Sequence, residues 1–438
     1  MPNVSALLET GVRGAMRTTD PPISIPAWPV MFTGFDPGTL GFYGFRHRLN
    51  HSYTQTYVPR STLLGFPSLF TLLSDRGRRV AVIGMPPGYP PPKVNGFYIS
   101  DFLTPPGSTD TTFPPELRAE IDARFGTYEF DVPFRAQERG ALFAQLVEMT
   151  RRRWEAAQAL YTREPWDLFA IHEIGTDRLH HAYWKFINPS HPKFERGNPF
   201  EHVAEEYFAQ LDRWIGRVVS EIDADTVVAI VSDHGMMSMQ GCFCINQWLE
   251  QKGYLTLAQP PARPGTPLEK ADVDWSRTRV WGAGGYYARL FFNVRGREPQ
   301  GVVAPEELPA LRATLERDLA TLTGPDGRPL SARILDPKML YREVNGDPPD
   351  LMVYFDDLQW RSAGTMGYPT NYLEENDTGP DDAVHSVDGV FLLYDPDRPA
   401  GRSFAGIDAV DVMPTLLAAI GEEVPPGLQG RVVPEALP

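Results

Sequence analysis

Short apolar runs and longer stretches of helical period alternate along this chain. The run Thr226–Val231 is too short to span a membrane and too uniformly apolar for a half-exposed strand, so it reads as a buried strand of a parallel sheet. Val80–Ile83, Trp166–His172 and Val390–Tyr394 read the same way, with Tyr98–Phe102, Tyr286–Val294 and Asp350–Phe355 as further strands. Between them the spacing predicts helices over Pro2–Thr10, Ser68–Arg76, Ala141–Tyr161, Val203–Ile222, Asn246–Gly253, Pro305–Leu322 and Asp411–Gly421. In the first of these Val4, Leu7 and Leu8 share a face and Gly11 is the stop signal. Strand and helix in alternation predict an α/β fold, a mostly parallel central sheet with helices on both faces. The Pro-rich, irregular stretch 104–137 is long for a structureless loop and is expected to be a lid or cap insertion in a core of residues 1–103 and 138–438. No repeat, low-complexity tract or Walker-type glycine loop interrupts the pattern.

Chemistry gathers where the strands end. Thr226–Val231 empties into Ser232-Asp233-His234-Gly235, an acid and an imidazole at the carboxyl end of a buried strand, where open α/β sheets place their ligands, with Gly235 expected to allow a sharp turn. Trp166–His172 leads into a segment with Asp177 and His181 one helical turn apart, which aims both at one point. His180 then faces elsewhere. Ser24, flanked by prolines at a junction before an apolar helix, is a candidate nucleophile, but a serine at a helix start also serves as a cap, and the residues alone leave both open. His385, in His385-Ser-Val-Asp388-Gly389 before a strand, is by itself more simply a turn residue than a ligand.

Composition narrows the partners. The 438 residues suffice for a large core without covalent staples, and a formal charge of -15 disfavours polyanionic partners such as a nucleic-acid polymer or an anionic membrane. A phosphate ester remains admissible, because a local metal charge outweighs the distant average field. Cys242 and Cys244 alternate on one strand face, a poor basis for a disulfide, and two thiolates alone make an incomplete zinc site. With no export signal and no run of about twenty apolar residues, a reduced, cytoplasmic protein is expected; oligomeric state stays open.

Taken in order, these segments resemble the alkaline phosphatase superfamily, and within it the type I phosphodiesterase and nucleotide pyrophosphatase group. The resemblance rests on Ser24-Ile-Pro26 leading to Thr33-Gly34-Phe-Asp-Pro37, on Asp177 with His181, on Asp233-His234-Gly235, and on His385 with Gly389. Asp411-Val-Met-Pro414-Thr-Leu-Leu-Ala-Ala-Ile-Gly421 and Asn293-Val-Arg-Gly296-Arg-Glu-Pro299-Gln-Gly301 extend it over nearly the whole chain. Each motif is weak and their order is specific. The resemblance implies two divalent ions, zinc or in some members manganese: one held by Asp177, His181 and His385, the other by Asp233, His234 and Ser24, with Ser24 as nucleophile. Such a pair, about 4 Å apart, stabilises attacking and leaving oxygens together.

Two departures qualify it. The family supplies a further Asp to the second ion from the end of its first strand, and this chain begins after that strand; Asp20, the first Asp present, matches nothing metal-binding in the pattern. The expectation is a start that lies upstream, or else an incomplete second site. Leu40 stands where relatives often carry His, which predicts an altered pocket wall. The expected function is a metal-dependent phosphoryl-transfer hydrolase, a phosphodiesterase or nucleotide pyrophosphatase acting on a small phosphate ester or nucleotide-like substrate. The alternatives are a phosphomonoesterase or phosphomutase of the same superfamily, or a catalytically impaired ligand-binding relative. A sulfatase would need an Arg two residues after Pro26, where Trp28 stands.

Overall fold

The computed structural model describes residues 1–438. The chain forms two compact units: residues 1–45, 58–235 and 386–438 make the first, residues 46–57 and 236–385 the second.

The first unit carries two four-stranded sheets. One runs in the order Arg402–Asp408, Val12–Arg17, Asp388–Tyr394, Val228–Val231; the other runs Thr112–Phe113, Gly96–Ile99, Val80–Ile83, Leu168–Ile171. Val80–Ile83 pairs in parallel with both its neighbours, and Val12–Arg17 in parallel with Arg402–Asp408. Asp388–Tyr394 runs against both strands beside it, and Thr112–Phe113 against Gly96–Ile99. The parallel pairing expected of the sheet is therefore interrupted by these two strands. The expected segment 104–137 contains one of them and the helix Leu117–Phe125, whose Leu117 and Ile121 pack with Ile83 and Ala157.

Two strands at the sheet ends stand out. Leu168–Ile171 pairs only with Val80–Ile83, and Val228–Val231 only with Asp388–Tyr394, so each leaves one edge unpaired. Both are wholly apolar in sequence, yet neither is fully buried and Ala229 is exposed. Leu168, Ala170, Val227 and Val231 nonetheless pack against one core, the cluster that includes Met16, Trp28, Val82 and Phe391.

The helix Ser24–Thr33 runs through that core with all of its residues buried. A helix apolar on every side has no solvent face, which is why its sequence shows no helical amphipathicity. It stops at Gly34, whose φ of 73° is left-handed backbone that a glycine adopts without strain.

The second unit is built on a seven-stranded sheet that includes Gly241–Cys244, Val280–Ala283, Ala288–Phe292, Leu351–Phe355 and Trp360–Ala363. Leu311, Leu315 and Leu319 of the helix Leu308–Leu319 pack in its core with Leu290 and Val353. The motif beginning at Asn293 is structural here: its amide donates to the carbonyls of Trp275, Thr278 and Gln300, and Glu298 pairs with Arg48 at 3.2 Å with both side chains buried.

The helix Pro2–Thr10 has no side-chain cap of its own at Met1. Buried Asp212, on the helix Val203–Val219, supplies the acceptor instead, taking the Asn3 and Val4 backbone N–H groups at 3.1 and 3.0 Å and the Asn3 amide at 2.9 Å. Asn3 fits because Gly216 has no side chain: a Cβ there would sit 2.5 Å from the Asn3 amide. Asp212→Ala is therefore expected to destabilise the chain by about 1.5–3 kcal/mol, the range for hydrogen bonds to a charged group, here with partly buried donors. Urea unfolding measures it, and a change under 0.5 kcal/mol, the ordinary effect of a surface substitution, would contradict this capping role.

Candidate active site

Ser24 is the first residue of its helix, and the cap position is taken by Ile23, which is extended and offers no polar side chain. The cap reading of Ser24 therefore fails. Ile25 departs from helical geometry (φ −111°, ψ 103°), so the backbone kinks immediately after the serine. The Ser24 hydroxyl is buried and lies 3.2 Å from His234 Nε2.

The partner comes from the strand Val228–Val231. Its exit is pinned by Ser232, which donates its N–H to the Val390 carbonyl at 2.9 Å and accepts the Val390 N–H on its hydroxyl at 2.7 Å. His234 Nδ1 lies 3.0 Å from the Gly235 carbonyl oxygen; that oxygen only accepts, so Nδ1 carries the proton and Nε2 presents a lone pair in the neutral ring. That lone pair faces Asp233 Oδ2 at 3.1 Å as well as Ser24. Gly235 is required for a different reason from the turn expected of it. Its φ is not in the left-handed region, but a Cβ would meet the Asp388 carbonyl at 2.3 Å and the Ser386 hydroxyl at 2.4 Å.

Burial alone would raise the Asp233 pKa, but the neighbouring His234 charge and hydrogen bonds from His234 and Ser24 outweigh it and hold the carboxyl below its usual range. For His234, burial works against the charged ring, yet the Asp233 carboxylate and the Gly235 carbonyl win and raise it above the ordinary imidazole value. A buried imidazole lone pair set against a carboxylate is thus stable only with a positive charge between or upon them.

Asp177 and His181 lie on the helix Gly175–Ile187, as their spacing predicts, with His181 Nε2 3.4 Å from Asp177 Oδ1. An oxygen of Asp177 and a ring nitrogen of His234 also lie within 4.8 Å of each other, so groups of metal-ligating type from two separate strand ends meet. His180 packs beside Trp184 and Phe208, and burial pushes its pKa down to about 4. His385 belongs to the second unit: it is buried at the end of that unit on the strand Ala383–Ser386, its ring stacked on Tyr286 at 4.0 Å. Leu40 is buried and belongs to the core cluster that includes Trp28 and Met31. Cys242 and Cys244 are buried free thiols in the second unit, each pushed up to about 12 by burial.

Three anchoring residues escaped the sequence reading. Glu173 takes the Gly175 N–H at 2.7 Å, the Trp154 indole at 2.7 Å and the Tyr207 hydroxyl at 3.3 Å, fixing the start of the helix that carries Asp177. The close fit again needs a glycine, since a Cβ on Gly175 would lie 2.1 Å from the Tyr207 oxygen. Arg178 donates to Asp177 at 2.7 Å and grips Asp131 through two bonds of 2.7 and 2.8 Å. His172 closes the strand Leu168–Ile171 with Nδ1 2.9 Å from the Gly84 carbonyl oxygen and its ring edge-on to Trp28; burial pushes its pKa down to about 4. An acid two residues before a helix glycine was the one signal available for Glu173; the others are set by tertiary contacts.

The sequence model of the family described as type I phosphodiesterase / nucleotide pyrophosphatase matches residues 1–381. No curated protein sequence matches. Among solved structures, human ectonucleotide pyrophosphatase / phosphodiesterase 5 superposes with a TM-score of 0.54 at 12% identity, covering 99% of this chain and 92% of its own. The murine protein, including an inactive variant in complex with AMP, superposes with a TM-score of 0.54 at 11% identity, covering 97% of this chain and 91% of its own. At such identity the superposition establishes the alkaline-phosphatase-like fold. With the family model spanning most of its length, the chain belongs to the type I phosphodiesterase/nucleotide pyrophosphatase family of phosphoric ester hydrolases.

Proposed function

We propose that the protein is a phosphodiesterase or nucleotide pyrophosphatase that uses Ser24 as its nucleophile and holds two divalent ions, zinc or manganese. Asp177, His181 and His385 would hold one; Asp233, His234 and Ser24 the other. The observation that carries the reading is the convergence of Ser24 Oγ and Asp233 Oδ2 on His234 Nε2, at 3.2 and 3.1 Å. Hard carboxylate oxygens with imidazole nitrogens are a donor set that suits such ions, and the lone pair facing a carboxylate is the arrangement a cation relieves. A divalent ion there would supply the charge that makes a serine hydroxyl nucleophilic near neutral pH and that offsets charge on phosphoryl oxygens.

The protein's own groups account for the rest. Ser24 presents its oxygen from a fixed, kinked backbone at a helix amino terminus, where a phosphate is electrostatically favoured. Attack of that oxygen on phosphorus, with the leaving oxygen departing on the opposite side, would transfer the phosphoryl group to Ser24, and water would then release it. Arg178 and Glu173 hold Asp177 and its helix in place. The nucleotide-like class of substrate is supported by the AMP complex of the murine neighbour.

Ser24→Ala is expected to lower hydrolysis of a nitrophenyl diester on the order of 10³-fold or more while leaving the fold intact. Undiminished turnover would remove Ser24 from its role. Comparing a diester and a monoester of the same phenol separates the proposed activity from a phosphomonoesterase, which would favour the monoester.

Metal analysis of the purified chain is expected to give about two ions per molecule, and Asp233→Asn to lose one of them. One ion or none in the unaltered chain would favour the non-catalytic alternative.

Proton and metal compete for His234, whose pKa is raised. Metal affinity and activity should therefore fall steeply as pH drops below about 6–7. In chelator the sign reverses. The raised His234 contributes stability that is present below the unfolded imidazole value and lost as pH rises through its folded value, and the lowered Asp233 contributes stability lost only as pH falls through its own. Urea midpoints of the metal-free chain should thus be highest between about pH 4 and 6.5, and a flat profile for both measurements would count against the pair.

A further inference from the structure

Within the second unit, His385 is packed in a way that a turn residue does not need. Its imidazole stacks on the Tyr286 ring at 4.0 Å with an interplanar angle of 28°, and the Arg361 guanidinium lies 4.3 Å from the centre of that same tyrosine ring. Arg361 is fixed from behind by Asp381 at 2.8 Å, both side chains being buried. We propose that Tyr286 and Arg361 are positioning residues for His385, holding its imidazole plane so that the ring is pre-aimed at a divalent ion. The inference rests on the reading of His385 as a metal ligand.

The backbone shows why this tyrosine stays where it is. Tyr286 follows Gly284-Gly285, a turn off the strand Val280–Ala283. Gly285 and Ser362 exchange two backbone hydrogen bonds of 2.8 and 3.0 Å, so the residue before Tyr286 is tied to the residue after Arg361. Gly284 permits the approach: a Cβ there would lie 2.2 Å from the Gly364 nitrogen. Gly285 has φ of 148°, a conformation closed to residues with side chains. Two glycines, a backbone bridge and a buried ion pair are thus arranged to set one aromatic ring beside one histidine.

The physical effect is on ring freedom. An imidazole rotates readily about its last torsion, and a ligand whose plane is already fixed loses less entropy on binding a metal. A planar guanidinium, always charged and weakly hydrated, stacks on tyrosine as lysine does not, which assigns a reason to arginine at this position. Neighbours that orient a metal-binding histidine typically change affinity by 10–100-fold when removed.

The test is zinc and manganese titration of the full metal-free chain against a competing chelator, with thermal unfolding of each metal-free variant as the fold control. Tyr286→Leu is expected to weaken binding about tenfold, Tyr286→Phe to restore it to within about twofold because the ring remains, and His385→Ala to weaken it at least as much as Tyr286→Leu. Arg361→Lys, which keeps the charge towards Asp381 but loses the planar stack, is expected to weaken binding and serves if Tyr286→Leu fails to fold. If His385→Ala weakens binding while Tyr286→Leu and Arg361→Lys leave it unchanged, the positioning role is overturned and the metal reading stands. If His385→Ala itself has no effect, the metal reading of His385 is what fails.

Discussion

The site depends on how a buried carboxylate and a buried imidazole are kept together at the end of an apolar strand. Asp233 and His234 leave water at a cost of several kcal/mol each unless a compensating charge is present. Their mutual contact at 3.1 Å supplies part of it, and the raised histidine and lowered aspartate record the result. The pair is held in place by Ser232 on one side and the Gly235 carbonyl on the other, so it cannot relax into solvent. A site frustrated in this way favours a bound cation, because neutral histidine facing ionised aspartate is satisfied by a metal without a proton having to be taken up.

The remaining residues are fixed by anchors that contribute no chemistry of their own. Glu173 gathers donors from two helices and from Gly175, the first residue of the helix that carries Asp177, so that Asp177 inherits a rigid backbone. Repeatedly, a glycine marks where two backbones or a backbone and a side chain must nearly touch: Gly175 beneath Tyr207, Gly235 against Asp388, Gly284 against Gly364. These positions are steric, and none of the three has a left-handed backbone. A Cβ at any of them would move a candidate site residue without altering it.

Much of this was legible in the sequence. The strands Val80–Ile83 and Leu351–Phe355 and the helix Pro2–Thr10 fall where apolar spacing put them, because their burial follows from local pattern alone. Asp177 and His181 could be joined by spacing, since one helical turn is a local relation. The strand Val12–Arg17 could not be read: Arg13 and Arg17 alternate with Gly14 and Ala15, and only Val12 and Met16 point into the core. Ser24 was ambiguous for a related reason. Whether a serine at a helix start caps it or faces outward depends on one residue of register, and here Ile23 occupies the cap. Glu173 offered only its spacing from Gly175, and Arg178 and Tyr286 were invisible because the partners that fix them, Asp131 and His385, lie far away in sequence.

The two unpaired strand edges bear on the same chemistry. Leu168–Ile171 and Val228–Val231 deliver the segments that carry His172, Asp177, Asp233 and His234, yet each is bonded to a neighbour on one side only. Apolar strands of this kind are normally flanked on both edges, and their free N–H and C=O groups must find water or another partner. Their side chains still share one core with the helix that carries Ser24, so the strands are located by packing where they are not located by hydrogen bonds. Side-chain packing tolerates small shifts that a ladder of hydrogen bonds forbids, and a change of even 1 Å in a reacting group lowers catalysis by about 10²-fold. The polar anchors at Glu173, Arg178, Ser232 and Gly84 therefore fix the strand ends more tightly than packing alone would.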